Sequence, residues 1–228
     1  MVQKDLKNSS LYRERMGVER SSYLFVCILF LLFFALFSFR YYWLKEYSGV
    51  VVDGSSMMRT LQDEDRLLMH KADAEKPAKR GDVIVVDVRG YEECGDTEFL
   101  IKRLIATEGD KVKCVDGNLY IWYAGEEGYV LLEESYAYYT DKLSYDFDEY
   151  VVGEGEIFFL GDNRNHSKDS RYNEYQGSNL KCLYKVEDIH GVVPDWAIKH
   201  RKILEVFFFA IPDFIEWTKN AFNACFGA

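Results

Sequence analysis

Seventeen consecutive residues, Tyr23 to Phe39 (YLFVCILFLLFFALFSF), hold only one residue outside the hydrophobic set, Ser38. As a helix rising about 1.5 Å per residue, this run covers roughly 26 Å of a bilayer core about 30 Å thick. Tyr41, Tyr42, Trp43 and Leu44 extend it. Arg40 can snorkel to the interface, where the aromatic rings are also at home. A cleaved leader would have a shorter apolar run followed by a small-residue cleavage site. Here the run ends FRYYWLKEY, bulky throughout, which reads as a retained anchor. Lys4, Lys7, Arg13, Arg15 and Arg20 precede it, and only Arg40 and Lys45 follow closely. The positive-inside rule therefore places the N-terminus in the cytoplasm and everything after residue 44 outside it.

The anchor divides the 228-residue chain electrostatically. Residues 1–44 carry six bases and three acids, whereas the remainder carries 22 bases and 35 acids. An acidic outer part lacks the clustered positive charge that displaces counterions from phosphates, so no nucleic-acid partner is expected. The patterns after residue 48 have strand period: Asp82–Val88, Phe99–Ile105, Lys111–Val115, Leu119–Tyr123 and Ile157–Leu160 are short apolar or alternating runs between turn residues. Asp116-Gly117-Asn118 between two of them predicts a hairpin. With no sustained helical stripe before residue 200, the fold class is mostly β behind one N-terminal transmembrane helix.

Residues 124–150 hold eight acids, one lysine and six tyrosines, and read as a solvated excursion from the core. The expected divisions are a cytoplasmic segment 1–22, an anchor 23–44, a β domain 45–200 and a C-terminal segment 201–228. In the last, Ile203, Phe207, Ile211, Phe214 and Thr218 recur at near-helical spacing, but Glu205, Pro212, Asp213, Glu216 and Lys219 interrupt the apolar run. That describes an amphipathic helix kinked near Pro212, lying on a membrane surface or docked on the β domain. Cys94, Cys114, Cys182 and Cys225 fall on the outer side, where three pairings are open. The four histidines have no metal-ligand spacing, so neither metal nor cofactor is expected.

Two positions have chemical potential. Ser56, in Asp53-Gly54-Ser55-Ser56-Met57, stands a dozen residues beyond the anchor. A serine in such a turn is ordinarily only a turn residue, and no histidine–aspartate partnership accompanies it. Lys102 interrupts the apolar strand FLIKRLI. Pointed outward it is an ordinary edge charge. Pointed inward it loses solvation, its pKa falls, and it becomes a base able to take a proton from a serine hydroxyl.

Four segments in order, GSSMMRTL (54–61), RGDVIVVD (80–87), IKRLIATEGD (101–110) and GDNRNHSKDSR (161–171), resemble the sequence boxes of the bacterial type I signal peptidases. That resemblance covers roughly residues 48–200 and implies a signal-peptidase-like β domain of coiled sheets. It further implies a membrane-anchored serine endopeptidase that removes signal peptides from exported preproteins. By position, Ser56 is implied as the nucleophile and Lys102 as the general base. Ser167 matches the serine that orients the lysine. Arg103 with Asp162, and Asp169 with Arg171, match supporting ion pairs. The Ser56 N–H and a donor near Gly54 are implied to hold the oxyanion. Val50, Val52, Met57 and Ile101 are implied to line shallow pockets for a substrate strand with small, Ala-x-Ala-type side chains. The resemblance has one gap: the family pattern places proline where this chain has Arg59, a change that either loosens Ser56 or is tolerated. The endoplasmic-reticulum branch of the family carries histidine where Lys102 stands, so the resemblance is to the bacterial branch.

The implied partners are signal-peptide-bearing preproteins and the lipid bilayer, with Sec-type export machinery nearby and the chain itself a monomer. The implied location is the cytoplasmic membrane, single-pass. The rival reading is a non-catalytic membrane-anchored β-domain paralogue.

Overall fold

A computed structural model describes residues 10–73, 75–91, 94–142, 146–171 and 184–206. The chain forms two compact units, divided between Glu46 and Tyr47. The first is essentially one helix, α1 (Ser10–Glu46), whose stretch Ser22–Trp43 is long and apolar enough to cross a membrane. That stretch is apolar on every face, and its large side chains from Tyr23 to Phe39 are exposed.

The second unit is built from two antiparallel sheets. Six strands form the larger in the order β1 (Tyr47–Val51), β2 (Arg66–Lys71), β10 (Ile189–Val193), β3 (Val83–Asp87), β4 (Phe99–Thr107) and β9 (Ile157–Leu160). The smaller runs β7 (Val130–Leu131), β6 (Asn118–Trp122), β5 (Lys111–Val115) and β8 (Phe147–Val151). Two short helices, α2 (Asp195–Lys199) and α3 (Arg201–Leu204), follow β10. The unit is thus mostly β, and the five runs read from strand period fall on β3, β4, β5, β6 and β9. The β5–β6 loop is the two-residue turn Asp116-Gly117, with both residues at positive φ, 49° and 65°, which matches the twist of a tight hairpin.

Strand β4 is buried on both faces from Lys102 to Ala106. Ile105 and Ala106 join Phe158 and Leu160 in a core with Val112, Leu119, Ile121, Phe147 and Tyr150 of the smaller sheet. Leu104 joins Ile84, Val86, Phe159, Tyr184 and Ile189 in a second core. Each such side chain stabilises the fold by roughly 1.5–3 kcal/mol relative to exposure. Together they create an interior on either side of β4 in which a charged group is costly.

The acidic stretch is not merely a solvated excursion. Its β7 and β8 are strands of the smaller sheet, Phe147 and Tyr150 are core, and Glu134 lies against the fully buried Arg164. The acids hide the strand period, and Glu134 can turn inward because a guanidinium neutralises it. Cys27, Cys94 and Cys114 carry no disulfide. Cys182, Cys225 and nearly all of the expected C-terminal amphipathic segment lie outside the described residues.

Candidate active site

After β1 the chain turns through residues 53–64 and returns to β2. Val52 donates its N–H to Asp65 O and accepts from the Glu64 N–H, both at 2.9 Å, closing the loop at its base. Within the loop, Thr60 and Leu61 donate to Met57 O, and Met57 and Leu61 are wholly buried, pinning the turn to the core. Gly54 has φ +90°, a conformation costly for any residue with a side chain, and donates its N–H to Asp63 Oδ1 at 2.8 Å. This leaves Ser56 half-exposed at the crest of the turn. Among the described residues nothing accepts the Ser56 N–H, which leaves it available to an incoming oxygen.

Lys102 enters from β4. Alternation puts it on the same face of the strand as Leu104, opposite Ile84 of β3, and it is only 3% exposed. Its Nζ donates to Ser56 Oγ at 2.8 Å and to Ile101 O at 2.9 Å. Burial lowers the Lys102 pKa from an ordinary 10.5 to about 8, with the more distant carboxylates of Asp169 and Asp162 opposing the shift. The arrangement is chemically specific. A desolvated amine within hydrogen-bond reach of a serine hydroxyl loses its proton close to neutral pH and can then accept the hydroxyl's.

The next residue does the opposite. Arg103 projects to the other face, where its Nε and Nη2 donate to Asp162 Oδ1 and Oδ2 at 2.8 and 2.6 Å, and its Nη1 to Gly81 O at 2.6 Å. Its guanidinium lies 3.9 Å from the Tyr136 ring centroid. Burial works against its charge, yet the Asp162 carboxylate holds its pKa above the ordinary value. Thr60 Oγ1 also donates to Asp162 Oδ2, at 2.5 Å, so the ion pair is tied to the serine turn.

The loop after β9 binds that turn from behind. The Asn163 N–H donates to Ser56 O at 2.9 Å and its side-chain amide to Ser55 O at 3.0 Å. Asp169 accepts from Arg171 Nε and Nη2, both at 2.9 Å, and from the Gly161 N–H at 3.0 Å. Although burial opposes its charge, Arg171 and these hydrogen bonds hold the Asp169 pKa below the carboxylate range. Gly161 is required by close approach: a Cβ there would lie 2.1 Å from Ser167 Oγ and 2.6 Å from Ser56 O. Ser167 sits beside the turn for that reason, its hydroxyl helps to lower the Asp169 pKa, and Lys102 is not bonded to it.

Of the pocket positions, Val50 and Ile101 are partly exposed, Val52 is 4% exposed and Met57 is wholly buried. Val50 lies on β1, which among the described strands is bonded to β2 alone. Two hollows of about 270 and 420 Å³ open elsewhere, one beside Lys76 and Val186, the other beside Cys114 and Asp146. Neither includes the Ser56–Lys102 pair. A half-exposed serine five residues beyond an edge strand suits an extended chain better than an enclosed small molecule. Among the described residues no group of three or more His, Cys, Asp or Glu is placed to hold a metal ion.

Sequence reasoning missed Asn163, Thr60, Glu134, Arg164 and the tyrosines 136, 138 and 139. Asn163 and Arg164 stand inside the last box, so only their partners were hidden. Glu134 sits on Arg164 with Tyr139 alongside, a contact across 30 residues that no local pattern announces.

Residues 21–198 match the family described as "Signal peptidase, peptidase S26". A signal peptidase I of Bacillus licheniformis is 37% identical over 126 residues, covering 53% of this chain and 64% of that protein. A probable signal peptidase I-1 of Synechocystis is 34% identical over 126 residues, covering 52% and 59%. The chain thus spans about three fifths of the length of these relatives. A solved signal peptidase I from Enterococcus faecalis V583 is 26% identical, covering 52% of this chain and 98% of that one, at a TM-score of 0.37.

Proposed function

Because this chain belongs to the signal peptidase family, peptidase S26, we propose that it is a membrane-anchored serine endopeptidase that removes signal peptides from exported preproteins with a Ser56–Lys102 dyad. The 2.8 Å contact between the Lys102 amine and the Ser56 hydroxyl, inside a site that lowers the lysine's pKa to about 8, carries this reading.

In the reaction, neutral Lys102 Nζ takes the hydroxyl proton as Ser56 Oγ attacks the scissile carbonyl. The Ser56 N–H stabilises the resulting oxyanion. Lys102, now an ammonium, protonates the leaving amine, and the signal peptide remains as an ester on Ser56. A water molecule then gives a proton to Lys102 as its oxygen attacks the ester, and Lys102 returns that proton to Ser56 Oγ as the acyl–oxygen bond breaks, freeing the signal peptide. At pH 7 a pKa of about 8 leaves about a tenth of the molecules with the neutral amine, enough for turnover. The flanking pairs Arg103–Asp162 and Asp169–Arg171, with Asn163, hold the turn in register.

The substrate is an extended segment added beside the edge strand β1, with small Ala-x-Ala-type side chains against Val50 and Ile101 and the buried Val52 and Met57 as the pocket floor. Helix α1 serves as the anchor, with the β unit outside the cytoplasm, where preproteins emerge. The second oxyanion donor lies close to Gly54, whose φ disfavours a serine at that position.

Cleavage of an Ala-x-Ala preprotein by the detergent-solubilised chain, run beside Ser56→Ala and Lys102→Ala, tests this reading. Cutting at that site by the parent alone is the expected result. Cutting that survives Lys102→Ala refutes the mechanism, and an inert parent favours a non-catalytic paralogue.

A further inference from the structure

The turn that presents Ser56 contains a backbone conformation that its residue does not favour. Arg59 has φ +79°, in the left-handed region, which disfavours a residue with a side chain. Proline, confined to φ near −65°, cannot adopt it. Such a conformation persists only where its surroundings impose it. Three contacts do so here. Met57 and Leu61 are wholly buried on either side. Thr60 is bonded to Met57 O and to Asp162. The exposed Arg59 guanidinium lies over the Tyr138 ring, 4.6 Å from its centroid.

Tyr138 is itself fixed to the catalytic loop. Its N–H donates to Asp162 O at 2.7 Å, and its carbonyl accepts from the Arg164 N–H at 2.9 Å. Between those two loop residues stands Asn163, which holds the carbonyls of Ser55 and Ser56. The Tyr138 ring, Arg59 and Ser56 therefore belong to one hydrogen-bonded frame. An exposed cation–π contact is comparable in strength with the strain of one left-handed residue.

We propose that Arg59 is a positioning residue: its stack on Tyr138 holds the left-handed turn after Ser56 and so fixes the reach of Ser56 Oγ to Lys102. The inference rests on the dyad reading. It also reassigns the departure from the family pattern, because Arg59 is an alternative lock for the turn rather than a defect in it.

The test is preprotein cleavage kinetics by the full-length solubilised chain, with limited trypsin digestion at the Arg59–Thr60 bond as a second readout. Arg59→Met and Tyr138→Leu should each lower kcat about twofold to fivefold with KM unchanged, and the double variant no further. Arg59→Lys, which keeps a cation over the ring, should restore the parental kcat. Arg59→Pro, which forces the turn to rearrange, should lower kcat about 100-fold or more. Trypsin should nick after residue 59 several-fold faster in Tyr138→Leu than in the parent, because the turn opens more often. Parental kcat and nicking rate in Tyr138→Leu, a full rate in Arg59→Pro, or an effect confined to KM would each overturn the inference. Failure of the dyad reading appears separately, as cutting that survives Lys102→Ala or as an inert parent. The nicking comparison decides the role of Tyr138 in either case.

Discussion

Lys102 and Arg103 are neighbours on one strand, both cationic and both buried, and the fold treats them in opposite ways. Arg103 meets a bidentate carboxylate, a backbone carbonyl and an aromatic face, and its charge is held more firmly than in water. Lys102, one residue away on the other face, meets a hydroxyl and a carbonyl but, among the described residues, no carboxylate within hydrogen-bond distance, and its pKa falls to about 8. Burial is common to both, so the partner decides the outcome. A buried cation with a counter-ion keeps its charge, and one without gives up its proton more readily. Strand β4 can host both because it is covered on each face by a different core.

The contrast can be broken most strongly at the lysine. Lys102→Met should abolish preprotein cleavage, a loss of at least about 10²–10⁴-fold, while stabilising the protein at neutral pH. The sign follows from linkage: the folded pKa lies below the unfolded one, so the unfolded chain binds the extra proton between about pH 8 and 10.5, and stability rises with pH through that window. Below it, the parent carries a penalty of about 3 kcal/mol that Lys102→Met removes. Denaturant unfolding of the two proteins at pH 7 and pH 10 checks this: a wide gap at pH 7 should narrow at pH 10.

Arg103→Leu is the converse. It strands Asp162 in the interior and should destabilise the fold by about 3–5 kcal/mol at neutral pH. The double variant Arg103→Leu/Asp162→Leu should recover much of the loss in equilibrium unfolding. If both arginine variants were as stable as the parent, the clamp role would be gone.

A smaller effect is expected at Asp169, whose pKa is depressed although burial opposes its charge. For a depressed carboxylate, the stabilisation is complete above the unfolded pKa, near 4, and is lost as pH falls through the folded value. Arg171→Leu should therefore weaken the protein at pH 7 by about 1–3 kcal/mol, and the difference should shrink as pH falls below about 4. Acid titration of unfolding by circular dichroism reads both limits.

Much of this contrast was legible in the sequence, and part of it was not. A lysine inside FLIKRLI announces an anomaly, but period alone cannot say which face is buried, and on β4 both are. The runs at β3, β5, β6 and β9 were readable because their apolar residues outnumber their charges, and the hairpin because Asp116-Gly117 suits its turn. β8 was hidden among acids, and β1 and β2 lacked clear alternation: β1 contains Ser48 and Gly49, and β2 buries three residues in a row. The inward turn of Glu134 and the left-handed backbone at Arg59 depend on Arg164 and Tyr138, tens of residues away. No local pattern carries such information.

The most direct test of Lys102 as an unpaired, neutral base is the pH dependence of kcat/KM for preprotein cleavage from pH 6 to 10. The rate should climb tenfold per pH unit on the acid side and level off near pH 8, where Lys102 loses its proton in the folded protein. A profile flat from pH 6 upward, or one still climbing toward pH 10, would contradict the assignment. The first would mean that another group takes the serine proton, and the second that burial does not depress the Lys102 pKa.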